Sequence, residues 1–241
     1  MWKSKHVIDL EGGSTPLYPM MLESPELRWA FIRKIYTIVT LQLLLTVAVA
    51  YVVVRVPQIS NFFVSYYWSG LAIYICIIIF YVIVLVLVCL FYRRHPLNLL
   101  LLALFTTTLA LLVGVTCAFT KGEVILEAAI LTAVVVITLT LYTFWAAKRG
   151  HDFNFMGSFL SGALAVIICS SLLQIFFPLG PISTMLYGGL ASIIFCGYII
   201  YDTDNLIKRY SYDEYILAAL TLYLDIINLF LHLLSILAEK K

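Results

Sequence analysis

The stretch that decides the fold is YILAALTLYLDIINLFLHLLSIL, residues 215–237, an apolar run with one carboxylate near its middle. Its 23 residues are enough to cross a bilayer as one helix, because about 20 are needed. The carboxylate is Asp225, and a charge at that depth costs at least about 2.5–3.5 kcal/mol. Such residues usually line a polar cavity or an ion pathway, so Asp225 is the first candidate functional residue.

The whole chain has the composition of a multi-span membrane protein. It contains 241 residues, of which 63% are hydrophobic and 12% charged, and its mean hydropathy is +1.04. Short connections join seven apolar runs, and runs this uniform can satisfy their backbone in lipid only as helices. We predict an all-α integral membrane protein, a bundle of seven transmembrane helices. The predicted spans are residues 33–55, 69–92, 97–119, 124–147, 155–177, 183–206 and 215–237.

The polar residues before the first run predict a tail. Residues 1–30 should form a short disordered cytosolic tail without a cleaved signal peptide, followed by one membrane domain over residues 31–241.

The basic residues predict the orientation of the bundle. One set of connections is rich in lysine and arginine, whereas the opposite set holds only Arg55 and Lys121, so the N-terminus should be cytosolic. A G-protein-coupled receptor would have its N-terminus outside. Seven crossings place the C-terminus opposite, although Lys240 and Lys241 there also suit a last helix that re-enters. The residues of the basic side are Lys3, Lys5, Arg28, Arg33, Lys34, Arg93, Arg94, Lys148, Arg149, Lys208 and Arg209.

Asp225 belongs to a polar stripe on one face of the last run. The stripe also contains Thr221, Asn228, His232 and Ser235, at helical spacings of three and four residues. We expect this face to turn toward other helices. Interhelical hydrogen bonding is the simpler role for Thr221 and Ser235, and both a packing and a functional role stay open for Asn228 and His232.

A second carboxylate, Asp202, ends the sixth run at a similar depth. At 1.5 Å per residue, Asp202 lies about 9 Å and Asp225 about 15 Å from the same basic end of the bundle. Adjacent antiparallel helices could therefore bring the two together, and two acids in one desolvated site share a proton. Such a pair suits pH sensing or binding of a hard divalent cation, above all Ca²⁺.

Four further charged residues are secondary candidates. Asp204 lies about 200° around the helix from Asp202 and is expected to be solvated near the membrane surface. Glu127, on the opposite side of the membrane, is either an exit-side cation ligand or an interfacial acid that snorkels. Arg93 and Arg94 close the second run; they are a topology signal, or one of them reaches a carboxylate.

The sequence offers little for enzymatic chemistry. It lacks a phosphate-binding P-loop, a nucleophile elbow and a zinc-protease helix. An intramembrane aspartyl protease typically has Gly-x-Gly-Asp at its second aspartate, whereas Leu222, Tyr223 and Leu224 precede Asp225 here. No basic tract indicates a nucleic-acid partner. We therefore predict a protein that is not an enzyme and has no cofactor.

Four segments resemble one known family. EYILAALTLYLDIINLFL at 214–231 closely resembles the last span of the Bax-inhibitor-1 superfamily, and within it the Lifeguard branch of plant type. YDT at 201–203, RRHPLN at 93–98 and DFNFMG at 152–157 match as well. The resemblance covers the chain from residue 30 to its end.

The resemblance implies a pH-sensitive Ca²⁺ leak pathway that suppresses programmed cell death by lowering internal Ca²⁺ stores. It implies an endomembrane location, the endoplasmic reticulum or Golgi first and the vacuolar or plasma membrane second. The paired aspartates of the family match Asp202 and Asp225, and Arg93 or Arg94 matches an arginine that holds the pore closed by pairing with Asp202. Where the family often has glutamine after Asp-Thr, this chain has Asp204, which adds cation affinity at the cytosolic mouth or is solvated.

Two other functions stay open. The bundle could be a membrane scaffold that binds cell-death regulators or other membrane proteins without conducting ions. It could also be a proton-coupled transporter that uses Asp202, Asp225 and His232 as a relay, although inverted repeats are not evident in the sequence. In every case the lipid bilayer is a partner, and Ca²⁺ is a partner of the leak pathway alone.

Overall fold

A computed structural model describes residues 25–56, 58–59, 62, 67–177 and 180–240. Within these ranges, seven helices are long and apolar enough to cross a membrane. Their boundaries lie within a few residues of the predicted spans, except at the start of the first helix. The helices are α1 (Pro25–Arg55), α2 (Tyr67–Phe91), α3 (Leu97–Ala118), α4 (Gly122–Lys148), α5 (Met156–Phe176), α6 (Pro181–Lys208) and α7 (Tyr215–Lys240).

The first helix begins earlier than the sequence predicts. Residues 25–30, which we expected in the tail, form the first turns of α1. These turns are ordered by tertiary contacts, because Arg28 is only 8% exposed and bonds to the end of α6. The tail predicted for residues 1–24 lies outside the described residues, so that prediction is not tested.

Helix α7 occupies the centre of the bundle. In its apolar window 56% of the residues are buried, against 11% for α2 and α5. It packs most extensively on α6 and also contacts α4, α1 and α3. A residue on α7 is therefore shielded from lipid on most sides, which is the setting a buried carboxylate requires.

The core consists of three clusters that all include α7. The first joins α7 to α2, α3 and the start of α4; the second joins it to α1 and the end of α6; the third joins it to α5 and the middle of α6. On the outer surface, large apolar side chains such as Phe159, Ile182 and Leu186 are exposed, as a lipid-facing surface needs.

Two glycines allow helices to approach closely. A Cβ at Gly114 of α3 would lie 2.9 Å from Val53 Cβ and 3.1 Å from Ala50 Cα, both on α1. A Cβ at Gly188 of α6 would lie 2.9 Å from Ile236 Cγ1 and 3.3 Å from the His232 carbonyl oxygen on α7. The contact at Gly188 agrees with the close packing that small residues indicate in membrane helices.

Candidate functional site

The last two helices are joined by a short turn that sets their register. Ser211 and Glu214 form a capping box, in which the Ser211 amide donates to Glu214 Oε2 over 3.0 Å and the Glu214 amide donates to the Ser211 side chain. This turn lies at one end of the bundle, which we name the turn end. Because the connection is short, α6 and α7 are antiparallel neighbours, and residues at similar distances from the turn lie side by side.

The structure brings Asp202 of α6 and Asp225 of α7 together. The two carboxyls are within hydrogen-bonding range of each other. Both are buried, with 8% and 6% of their surface exposed. A hydrogen bond between two carboxyl groups needs a proton, so two buried carboxyls this close are favourable when they share one.

Asp202 has further polar neighbours. Besides Asp225, its carboxyl interacts with the side chains of Thr221 on α7 and of Asn205, one turn further along α6. Asp225 keeps one buried oxygen, Oδ2, without a hydrogen-bond partner among the described residues. A buried oxygen without a hydrogen-bond partner is energetically unfavourable.

The oxygen atoms around the pair are too few to hold a dehydrated divalent cation. Two carboxyls and the Thr221 hydroxyl are oxygen donors of the kind Ca²⁺ prefers, but Ca²⁺ takes six to eight oxygen ligands. Within the part of the chain that the structure describes, no group of three or more His, Cys, Asp or Glu residues could hold a metal ion. The donor set suits a cation that keeps most of its water.

Within the rest of the polar stripe, Thr221 and His232 contact neighbouring parts of the bundle, as predicted for this face. The Thr221 hydroxyl lies 3.4 Å from Tyr210 Oη. His232 stacks on Phe195 of α6, with ring centres 5.5 Å apart and planes at 22°. Asn228 donates to the Leu224 carbonyl of its own helix over 2.8 Å. The contacts of Asn228 and His232 are therefore those of packing residues.

Neither candidate arginine of α2 lies on Asp202. Arg93 Nη2 is 3.7 Å from Glu214 Oε1, and its side chain is 63% exposed. The Arg94 guanidinium lies over the Phe91 ring of its own helix end, 5.2 Å from the ring centre. Among the described residues, Asp202 interacts with Thr221, Asn205 and Asp225 rather than with an arginine of the second span.

Asp204 is not solvated, contrary to our expectation. Its side chain is 0% exposed, and its Oδ1 lies 2.5 Å from the ammonium of Lys208, which is 2% exposed. Its Oδ2 accepts from Arg209 Nη1 and from the Phe153 amide, each over 3.2 Å. Because cations and an amide already occupy both oxygens, Asp204 is part of an ion-pair network at the turn end and not a free cation ligand.

Glu127 lies near the other end of the bundle. It sits one turn into α4, and its side chain is exposed. This exposure favours the interfacial acid that snorkels over a ligand inside the bundle.

Sequence reasoning missed Arg28 of α1. Its guanidinium donates to three backbone carbonyls at the end of α6, those of Leu206 at 2.7 Å, Ile207 at 2.8 Å and Tyr210 at 2.6 Å. The last carbonyls of a helix have no partner within it, and a cation there is favourable. The available signal was a single arginine before the first apolar run, which we interpreted only as a topology signal.

An open cleft of about 280 Å³ lies at the turn end beside the pair. Burial, with the nearby charge of Asp202, raises the pKa of the Tyr210 phenol, so this hydroxyl stays protonated and can donate toward Thr221. Asn205 lines the cleft and also interacts with Asp202, so the cleft lies near the pair. The cleft is lined by Tyr201, Asn205, Arg209, Tyr210 and Glu214.

Fold and site together define a multi-pass α-helical membrane protein with a carboxyl pair buried between its last two helices. Residues 28–241 match the family Bax1-I, described as inhibitor of apoptosis-promoting Bax1. The chain therefore belongs to the Bax inhibitor-1 family, which consists of non-enzymatic membrane proteins.

Relatives of nearly the same length support this assignment. Protein LIFEGUARD 2 of Arabidopsis thaliana is 64% identical over 237 residues, which cover 98% of each chain. The Golgi anti-apoptotic protein of Vaccinia virus (strain Lister) is 40% identical, over 89% of this chain and 87% of its own. Bax inhibitor 1 of Schizosaccharomyces pombe is 36% identical, over 88% of this chain and 77% of its own. The resemblance seen in the sequence motifs is confirmed.

Proposed function

We propose that this protein is a pH-sensitive Ca²⁺ leak pathway of internal membranes that suppresses programmed cell death by lowering Ca²⁺ stores. One observation carries the proposal: the carboxyls of Asp202 and Asp225 meet in a buried place between α6 and α7. This pair is the gate. In the proposed closed state the two groups are bonded to each other.

The physical basis of gating is the charge of the pair. With one proton the carboxyls hold each other, whereas loss of that proton leaves two like charges in a desolvated place. Repulsion then favours separation of α6 from α7, and the exposed oxygens attract a divalent cation. A change of about 1.4 kcal/mol between two states alters their ratio tenfold, so one proton is enough to open or close the path.

Other ionisable groups face the pair without a full charge at neutral pH. The Tyr198 hydroxyl of α6 and the Tyr210 hydroxyl of the turn both interact with the two aspartates. Tyrosine is neutral near pH 7, so these groups shape the field around the pair but do not supply its titration. The charged Arg209 acts on Asp202 only through Asn205.

The names of relatives support the cellular part of the proposal. One relative is a Golgi anti-apoptotic protein and another is Bax inhibitor 1. We place the present chain in the endoplasmic reticulum or Golgi by this likeness, with its N-terminus in the cytosol by the distribution of basic residues.

The proposal is tested by Ca²⁺ efflux from liposomes that contain the purified protein, across pH 6–8. Asp225→Asn keeps the size of the side chain but removes its charge, so we expect a leak about tenfold lower and without the wild-type pH profile. Asp202→Asn should act in the same direction. Asp213→Asn, at an exposed carboxylate in the turn, is the matched control and should leave the leak unchanged.

Two outcomes would overturn the proposal. If Asp225→Asn leaks like the wild type at every pH, the pair is not the gate. If the wild-type protein does not leak at all, the chain is not a conduction path, and the scaffold function is favoured. Co-purification of membrane partners would then be the next measurement.

A further inference from the structure

Arg209, the residue after α6, contacts three side chains in two parts of the molecule. Its Nη2 donates to both oxygens of Asp152, over 2.6 and 2.8 Å. Its Nη1 donates to Asn205 Oδ1 over 2.9 Å and to Asp204 Oδ2 over 3.2 Å. The planar guanidinium is suited to such simultaneous contacts because its N–H groups point in fixed directions. Arg209 thereby connects the loop between α4 and α5 with the end of α6.

The contact with Arg209 fixes the orientation of the Asn205 side chain. An amide has one acceptor oxygen and one donor nitrogen, and here the oxygen accepts from Arg209. The nitrogen is then the atom turned toward Asp202, with whose carboxyl the Asn205 side chain interacts. If Arg209 moved away, the amide could rotate, and its N–H group would leave Asp202.

The loop between α4 and α5 is docked on the same network. The Phe153 amide donates to Asp204, and the Lys208 ammonium donates to the His151 carbonyl. Asp152 is the exposed member of this contact, with 44% of its side chain accessible. Although burial opposes its charge, Arg209 and the Asn154 amide hold the pKa of Asp152 below its ordinary value, so it is ionised at neutral pH.

We infer that Arg209 is a positioning residue that, with Asn205, forms a relay from Asp152 in the α4–α5 loop to the carboxyl of Asp202. The loop thereby regulates the pair: while Asp152 holds Arg209, Asn205 is oriented and Asp202 stays in its closed position. This regulatory role rests on the proposed function of the pair as a gate. A ligand or modification that drew Asp152 away from Arg209 would open the path from the cytosolic side.

Leak measurements on liposomes with four variants test the relay. Asp152→Asn should raise the Ca²⁺ leak about fivefold or more, because the anchor of Arg209 loses its charge. Asn205→Leu removes both contacts of the amide and should raise the leak at least as much. The double variant should leak no more than Asn205→Leu alone, because both changes break one path. Arg209→Lys, which keeps the charge without the fork, should resemble Asp152→Asn.

Controls separate the relay from a general effect of charge or folding. Asp213→Asn, another exposed acid at the turn end, should leak like the wild type. The relay is overturned if Asp152→Asn behaves like this control. It is also overturned if Asp152→Asn multiplies the leak equally with and without Asn205→Leu, since a residue that acts only on overall stability would do so.

Failure of the relay can be distinguished from failure of the proposed function. If the wild type leaks and Asp225→Asn does not, the proposed function of the pair is supported. Relay variants without any effect on the leak would then overturn the relay alone. If the wild type does not leak, the melting temperatures of Asp152→Asn, Asp202→Asn and the double variant decide. Non-additive shifts in melting temperature support the relay, whereas additive shifts overturn it.

Discussion

Asp202 and Asp204 lie two residues apart on α6 and are both buried, yet their surroundings are opposite. Asp204 faces the ammonium of Lys208 and the guanidinium of Arg209, so its charge is neutralised and stays fixed. Asp202 faces another acid, Asp225, and such a contact is stable only while the two share a proton. A carboxyl group that is paired with another carboxyl group changes its protonation with the pH of the solution. For that reason the pair, and not Asp204, is the proposed gate.

His232 separates the leak pathway from proton-coupled transport. Its ring lies between Phe195 and Tyr187 of α6, 5.5 and 5.8 Å from their ring centres. We expect His232→Phe, which retains an aromatic ring, to keep the leak within about twofold of wild type at each pH. Reconstituted Ca²⁺ efflux, with a pH-sensitive dye inside the vesicles, measures both ions. Loss of the pH response would instead show that an ionisable ring is needed, as in a proton relay.

At the scale of elements, the end of α6 is fixed by α1. Arg28 is 8% exposed and donates to three carbonyls that α6 itself cannot satisfy. Since Asp202 lies on the same helix, the place of the carboxyl pair depends on an arginine that comes before the first apolar run.

Replacing Arg28 should therefore destabilise the bundle. Arg28→Gln loses the charge and most of the donors, and we expect a loss of about 2–3 kcal/mol, seen as a lower melting temperature in detergent. Arg33→Gln on the same helix is the control, because Arg33 is exposed. Equal melting temperatures for the two variants would mean that the cap contributes nothing to stability.

Neighbouring glycines of α6 provide a matched test of helix packing. A methyl group at Gly188 would meet Ile236 and the backbone of α7, whereas one at Gly189 would meet nothing within 4 Å. We expect Gly188→Ala to cost about 1–3 kcal/mol through overpacking, and Gly189→Ala to be neutral or slightly stabilising. Melting temperatures of the two variants give the comparison. A loss at Gly189 equal to that at Gly188 would contradict the close approach of α6 and α7.

The sequence predicted the helices well because each apolar run has one way to satisfy its backbone in lipid. It also brought Asp202 and Asp225 together, since depth along two neighbouring antiparallel helices is a local quantity. The burial of Asp204 could not be obtained in this way. Helical spacing places Lys208 one turn from Asp204. The second cation on Asp204 is Arg209, and it is held by Asp152, which comes from a loop about fifty residues earlier. Spacing along one helix carries no information about such a contact.

At the scale of the whole molecule, α7 lies among α1, α3, α4 and α6. Asp225 is therefore carried by the helix that contacts most of the bundle, while α2 and α5 lie at its edge. The cleft at the turn end is lined by Asn205, which also interacts with Asp202. A central helix with a cleft near its carboxyl pair is compatible with the proposed path that one proton controls.

The number of crossings predicts where the two termini lie. Helix α7 runs from Tyr215 to Lys240 without a break, and a helix that re-entered the membrane would need a break whose backbone other groups satisfy. Seven crossings then place the ends on opposite sides, with the basic turn end in the cytosol. Lys240 and Lys241 do not prevent this, because the positive-inside rule is a bias summed over all connections.

Protease treatment of sealed microsomes, whose cytosolic face is outside, measures this topology. We expect a tag before Met1 to be cleaved, and a tag after Lys241 to be protected until detergent is added. A third tag at Lys121, in the connection between α3 and α4, should be protected like the C-terminal tag and serves as the internal control. Cleavage of both terminal tags while the Lys121 tag stays intact would mean that the last helix returns to the cytosolic side. In that case Asp225 would line a re-entrant segment instead of a spanning helix.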